Sequence, residues 1–191
     1  MNSKTIAVIV VFTALTVALV LSPAKVPAPY APFLKYQIWE IPIVIAFLLY
    51  GTLVGVSVTI INTSVLLIFY PGDLPTGPLY TFAAVLSMLL GIYIVHKLPV
   101  ESSSKQWEAI LAVSSTALGT VLRVGIMSLV NWVFLQYPYP IGFNIPVEAL
   151  TAMLPIIGFF NATVTLYTIP TGYFVAKTIS YGTRTLGWSR S

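Results

Sequence analysis

The sequence predicts an all-α membrane protein, a six-helix transmembrane bundle with both termini cytoplasmic. Three observations predict it. Hydrophobic residues make up 58% of the chain and charged residues only 7%, whereas an ordinary soluble domain carries about 25% charge. The mean hydropathy of +0.94 agrees. The apolar residues fall into six runs separated by connections rich in proline, glycine or serine. When those runs are threaded alternately through a bilayer, most lysines and arginines collect on one side. The 191 residues are read as a single integral membrane domain of the cell membrane.

A spanning helix needs about 20 apolar residues. The first run, 5–22, follows Lys4 and ends in Ser22-Pro23-Ala24-Lys25. That ending is a poor cleavage site, so the run is read as a retained first helix and not a signal peptide. The second run, 38–50, is short by itself and meets the third, 52–70, at Gly51; it is expected to tilt or to span only part of the membrane. The fourth covers 79–97. The fifth, 107–135, is long enough to extend past the bilayer or to break near Gly125. The sixth, 150–178, contains Pro155 and Pro170, which are expected to kink it.

The connections carry turn chemistry. Residues 23–32 include Pro23, Pro27, Pro29 and Pro32, which predict a stiff, extended, non-helical loop. Residues 71–78 and 136–147 are rich in proline and glycine, and 98–106 are polar around Ser102-Ser103-Ser104. With a cytoplasmic amino terminus, Lys4, Lys97, Lys105, Lys177, Arg184 and Arg190 lie inside and Lys25 and Lys35 outside. The loops 23–37, 71–78 and 136–149 then share the outer face, as the mouth or lid of a cavity or as plain connectors.

Several function classes are excluded by residue content. There is no cysteine, hence no disulfide and no thiolate metal site. The single histidine, His96, falls beside Lys97 at the inner end of the fourth run, where an interfacial, solvated role is expected. Glu40, Asp73, Glu101, Glu108 and Glu148 are scattered, so no acid pair is set up for metal-assisted chemistry. No Gly-x-x-x-x-Gly-Lys phosphate loop occurs. No basic patch interleaved with aromatics suggests nucleic acid. The chain is read as neither an enzyme nor a cofactor protein.

What remains is polar chemistry inside apolar runs. Arg123 is an intramembrane charge, and such a group needs a partner; Glu40 and Glu148 are the available acids. It either anchors a ligand or gate, or forms a structural ion pair, or snorkels to the inner face. Asn131 and Asn161 each sit in an apolar helix, where a carboxamide must use both its donor and its acceptor. They bridge helices or read the edge of a heterocycle. The small-residue spacings Ala14–Ala18, Gly51–Gly55 and Gly172–Ala176 allow close helix approach, within the bundle or to a partner. Tyr30, Phe33, Tyr36, Trp39, Tyr137 and Tyr139 cluster by the outer loops, as an interfacial belt or as walls for a flat ligand.

Leu34-Lys35-Tyr36, then Glu40-Ile41-Pro42, then the run from Ile45-Ala46 to Gly51-Thr52-Leu53-Val54-Gly55 resembles the second-helix signature of energy-coupling factor (ECF) transporter S components, most of all their riboflavin-binding members. Gln37 replaces the family's first acid there, and Thr52 and Val54 replace the Pro and Ala of its turn. The surroundings of Asn131 resemble the family's helix-five asparagine. Leu154-Pro155 with Phe160-Asn161 resembles its Leu-Pro-Phe-Asn, with extra residues between. Val164 stands where riboflavin members often have lysine. Ala14 and Ala18 match the Ala-x-x-x-Ala used on helix one. The resemblance implies a subunit that captures riboflavin from outside. It would deliver the vitamin by toppling, with a transmembrane coupling subunit and two ATPase subunits. It implies substrate contacts at Tyr36, Glu40, Asn131 and Asn161, and coupling-subunit contact at Ala14 and Ala18. Pantothenate, pyridoxine or thiamine are alternative ligands, and a ligand-free membrane scaffold is the alternative outside transport.

Overall fold

Six apolar runs become six helices, and proline decides what joins the first two. A computed structural model describes residues 2–70, 72–98 and 105–183. The first helix, α1 (Ser3–Leu21), opens on Asn2, whose side-chain oxygen accepts the Thr5 backbone N–H at 2.9 Å. The stretch expected to be a plain extended loop is extended but paired. Strands β1 (Val26–Ala28) and β2 (Ala31–Tyr36) form an antiparallel hairpin with Val26 opposite Tyr36. Both strands of a two-stranded ribbon are edge strands, so each tolerates proline, here Pro27 and Pro32.

Helix α2 (Glu40–Tyr50) turns into α3 (Thr52–Phe69) at Gly51, whose φ of 89° is a left-handed value that glycine adopts without strain. Then follow α4 (Gly77–Lys97), α5 (Lys105–Phe134) and α6 (Val147–Thr183). The break considered near Gly125 does not occur: α5 runs through it, and α6 runs through Pro155 and Pro170. A lone helical glycine costs only about 1 kcal/mol, less than leaving backbone groups unpaired in hydrocarbon. Glu101, Ser102 to Ser104, Arg184 and Arg190 lie outside the described residues.

Five helices, all but α2, are long and apolar enough to cross a membrane, and the chain is an integral membrane protein. Helix α2 has 11 residues, about 16 Å of rise against a hydrocarbon core of about 30 Å. By length it spans only part of the bilayer. Glu40, the first residue of α2, is buried inside the bundle.

Helix α5 packs along both α4 and α6. The α4–α5 seam is close enough that a Cβ on Gly91 would lie 2.5 Å from the Gly119 Cα. The core is built from Ile43, Val44, Phe47, Val58, Val85, Met88, Ile92 and Ile169. Helix α1 lies at the periphery. It turns Ile9, Thr13 and Thr16 inward and leaves Ala14 and Ala18 exposed.

Candidate functional site

The polar centre of the bundle is an ion pair with a carboxamide attached. Arg123 on α5 is 3% exposed and Glu40 on α2 is 5% exposed. The guanidinium grips the carboxylate with both terminal nitrogens: Nη2 donates to Oε1 at 2.9 Å and Nη1 to Oε2. This is the fork geometry for which arginine is suited and lysine is not. Arg123 Nε donates to Asn161 Oδ1 on α6 at 3.0 Å, and Nη1 also approaches Met88 Sδ on α4 at 3.7 Å. Of the two acids that the sequence offered to Arg123, the fold selects Glu40 and leaves Glu148 exposed at the start of α6. Glu40 is thus the buried partner of Arg123.

The hairpin is fastened over this centre from one side. Tyr36 Oη hydrogen-bonds Thr163 Oγ1 on α6 at 2.8 Å and pairs with the Tyr30 hydroxyl. Its ring packs on Phe160, with centroids 4.9 Å apart, and edge-on against Tyr167 at 6.3 Å. Tyr30 meets Phe159 edge-on at 5.2 Å. Tyr167 Oη donates to the Gln37 carbonyl at 2.6 Å. Desolvation, and then the hydrogen bond with Tyr36, raise the Tyr30 pKa above the ordinary phenol value, so the Tyr30 hydroxyl is neutral at physiological pH.

A cavity of about 570 Å³ opens between hairpin and α6, lined by Ala24, Val26, Tyr36, Gln37, Ile38, Thr163 and Tyr167. Gln37 Oε1 is a buried acceptor with no partner among the described residues. Thr163, Tyr167 and Gln37 were not anticipated as site residues. The signal for Thr163 and Tyr167 lay in the spacing Asn161-x-Thr163-x-x-x-Tyr167, which puts polar groups along one stretch of a helix otherwise read as apolar.

The connection between α5 and α6, residues 135–146, forms a separate structured loop. It hydrogen-bonds to itself through Ile145 N–H to Leu135 O at 3.1 Å and Asn144 N–H to Tyr137 O at 3.0 Å. It is tied to the α3–α4 side by Thr76 Oγ1 to Pro140 O at 2.9 Å and Tyr80 Oη to Ile141 O at 2.8 Å. Hairpin and loop thus sit at one end of the bundle and are held by different helices.

Both asparagines spend part of their amides locally. Asn161 Nδ2 donates to the Ile157 carbonyl at 2.9 Å and Asn131 Nδ2 to the Met127 carbonyl at 2.6 Å. The structure brings Tyr36, Glu40 and Asn161 into one neighbourhood through Arg123, Phe160 and Thr163. Asn131 stands apart, eight residues or about 12 Å of helix rise beyond Arg123 on α5.

At the other end of the bundle, His96 is not the solvated group expected. It is half-buried, its Nε2 pairs with the Tyr173 hydroxyl, and its ring stacks on Tyr173 at 5.8 Å. Tyr173 also bonds Ser115 at 2.8 Å. An apolar cavity of about 370 Å³ opens there beside the Glu108–Lys177 ion pair, whose atoms are 2.6 Å apart. Among the described residues no group of acids and histidines is placed to hold a metal ion.

No protein-family profile matches the chain. It is similar to the riboflavin transporter RibU of Staphylococcus aureus (strain TCH60), 26% identical over 130 residues. The match covers 68% of this chain and 65% of the length of that relative. A solved structure of the S component of a bacterial ECF transporter superposes with a TM-score of 0.74 at 20% identity, over 95% of this chain and 98% of that one. The fold is therefore that of an ECF S component, and the resemblance read from the sequence stands. Both relatives are transport proteins, as the expectation of a non-enzymatic chain requires.

Proposed function

We propose that this chain is the substrate-binding S component of an ECF-type vitamin importer, with riboflavin as its ligand. One observation carries the reading. The likeness to RibU falls on a chain whose S-component fold places an aromatic hairpin, a cavity and an unpartnered buried acceptor at the same end of the bundle. A flavin ring is a flat apolar body with a polar edge. Aromatic faces with a few fixed polar groups are the chemistry that binds such a body.

In this reading the ligand enters from outside between hairpin and 135–146 loop, and Tyr36, Asn131 and Asn161 contact it. Glu40 acts through Arg123. Delivery uses a transmembrane coupling subunit and two ATPase subunits, with Ala14 and Ala18 on the contact face. The excess of lysine and arginine on one side supports cytoplasmic termini.

The test is direct. Protein purified in detergent is titrated with riboflavin, following quenching of flavin fluorescence, and its thermal midpoint is recorded with and without ligand. Binding raises the midpoint by mass action. No binding at micromolar riboflavin together with tight binding of pantothenate, pyridoxine or thiamine would reassign the ligand. No stabilisation by any of them would favour the scaffold reading.

A further inference from the structure

We infer that Arg123 is a positioning residue for ligand selectivity: by donating to Asn161 Oδ1, it fixes the orientation of the carboxamide, so that the remaining N–H of Nδ2 is held in place for a ligand acceptor. The inference rests on the proposed function in so far as Asn161 meets the ligand.

A carboxamide has two donors and an acceptor, and a free one can flip to suit either kind of partner. Asn161 cannot. Its oxygen accepts Arg123 Nε at 3.0 Å, and its nitrogen donates to the Ile157 carbonyl at 2.9 Å. Flipping the amide would set an NH₂ group against a guanidinium N–H and an oxygen against a carbonyl, two repulsive contacts in a site 5% exposed. Arg123 is held in turn by its two-pronged grip on Glu40, so the constraint begins on α2, passes through α5 and ends on α6. One N–H of Asn161 remains without an acceptor among the described residues. It can satisfy a carbonyl oxygen or an unprotonated ring nitrogen of a ligand, and it rejects a ligand that presents a donor at that point. Asn131 lacks this constraint: its nitrogen bonds Met127 O, and no arginine among the described residues fixes its oxygen.

Arg123→Lys separates positioning from charge. Lysine still supplies a cation for Glu40, but its single ammonium cannot grip the carboxylate with two nitrogens while donating to Asn161. The measurement is the affinity for riboflavin against derivatives that lose one acceptor at a time: either carbonyl oxygen replaced by sulfur, or the accepting central-ring nitrogen replaced by carbon. The native protein should disfavour one derivative by about tenfold or more. Arg123→Lys, if monodisperse and cooperatively folded, should reduce that ratio to about twofold or less. Asn161→Asp, which keeps an acceptor for Arg123 but has no N–H, should bring riboflavin down to the affinity of the disfavoured derivative.

Equal discrimination in native protein and Arg123→Lys overturns the inference, as does a native protein indifferent to every derivative. If the native protein binds no flavin, the proposed function fails first. The inference is then decided without ligand, by NMR of asparagine-labelled protein with the Asn161 amide assigned through its loss in Asn161→Asp. Two distinct amide protons that shift and exchange faster in Arg123→Lys support it, and an unchanged pair overturns it.

Discussion

At the scale of residues, the fold depends on one buried charge being answered. Arg123 and Glu40 are both almost fully withdrawn from solvent, and each is tolerable only because the other is in place. Glu40→Ala leaves a guanidinium stranded among Met88, Asn161 and hydrocarbon. The expected loss is about 3–5 kcal/mol, read as a large fall in the thermal midpoint in detergent. An unaltered midpoint would mean that water reaches the pair. Replacing both partners by apolar residues, Glu40→Leu with Arg123→Met, should recover much of the stability, because no charge is then left unanswered. It should not recover ligand selectivity. Tyr36→Phe is a milder probe of the same neighbourhood. It keeps the ring on Phe160 and deletes the hydroxyl shared with Thr163 and Tyr30. The midpoint should hardly move, while riboflavin affinity should fall by about tenfold. A proportionate loss of both would make the tyrosine a packing residue only.

At the scale of elements, what the sequence made legible was set by length and periodicity, and what it hid was set by pairing. Apolar runs announce helices, and the four prolines of residues 23–32 exclude one there. Nothing local says that Val26 will face Tyr36, because a two-stranded ribbon is stabilised by what it rests on, here Phe159, Phe160 and Thr163 of a helix more than a hundred residues away. Arg123 was recognisable as a charge needing a partner. Choosing Glu40 over Glu148 required the packing of α2 against α6, which buries Glu40 while Glu148 stays exposed. Asn161 was readable either as a bridge between helices or as a ligand contact. The fold makes it a bridge through Arg123, yet leaves one N–H over. Close approach is a second element-scale property with a test. The Gly91–Gly119 seam leaves no room for a Cβ. Gly91→Ala should force α4 and α5 apart and cost about 1–3 kcal/mol. Gly125→Ala, with nothing within 4 Å of its added Cβ, should be neutral or slightly stabilising by helix propensity. Equal effects at the two sites would mean that the seam is looser than described.

At the scale of the whole molecule, one helix is placed differently from the rest. The polar centre joins α2, α5 and α6, and Met88 brings in α4. Helix α1 takes no part in those contacts. It buries Ile9, Thr13 and Thr16 and turns Ala14 and Ala18 outward. Exposed small side chains at i and i+4 let another helix approach closely, and in lipid such packing is a main source of helix association. If a coupling subunit docks there, the face can be blocked without touching the cavity. Ala14→Trp and Ala18→Trp should therefore bind riboflavin as the native protein does and keep its thermal midpoint, since an indole on an exposed, lipid-facing position displaces nothing in the core. Reconstituted with an ECF coupling subunit and its two ATPases, the same variants should fail to support uptake and to copurify with the coupling subunit. Undiminished uptake would move the docking surface to another face. A matching loss of binding would show that α1 shapes the cavity after all.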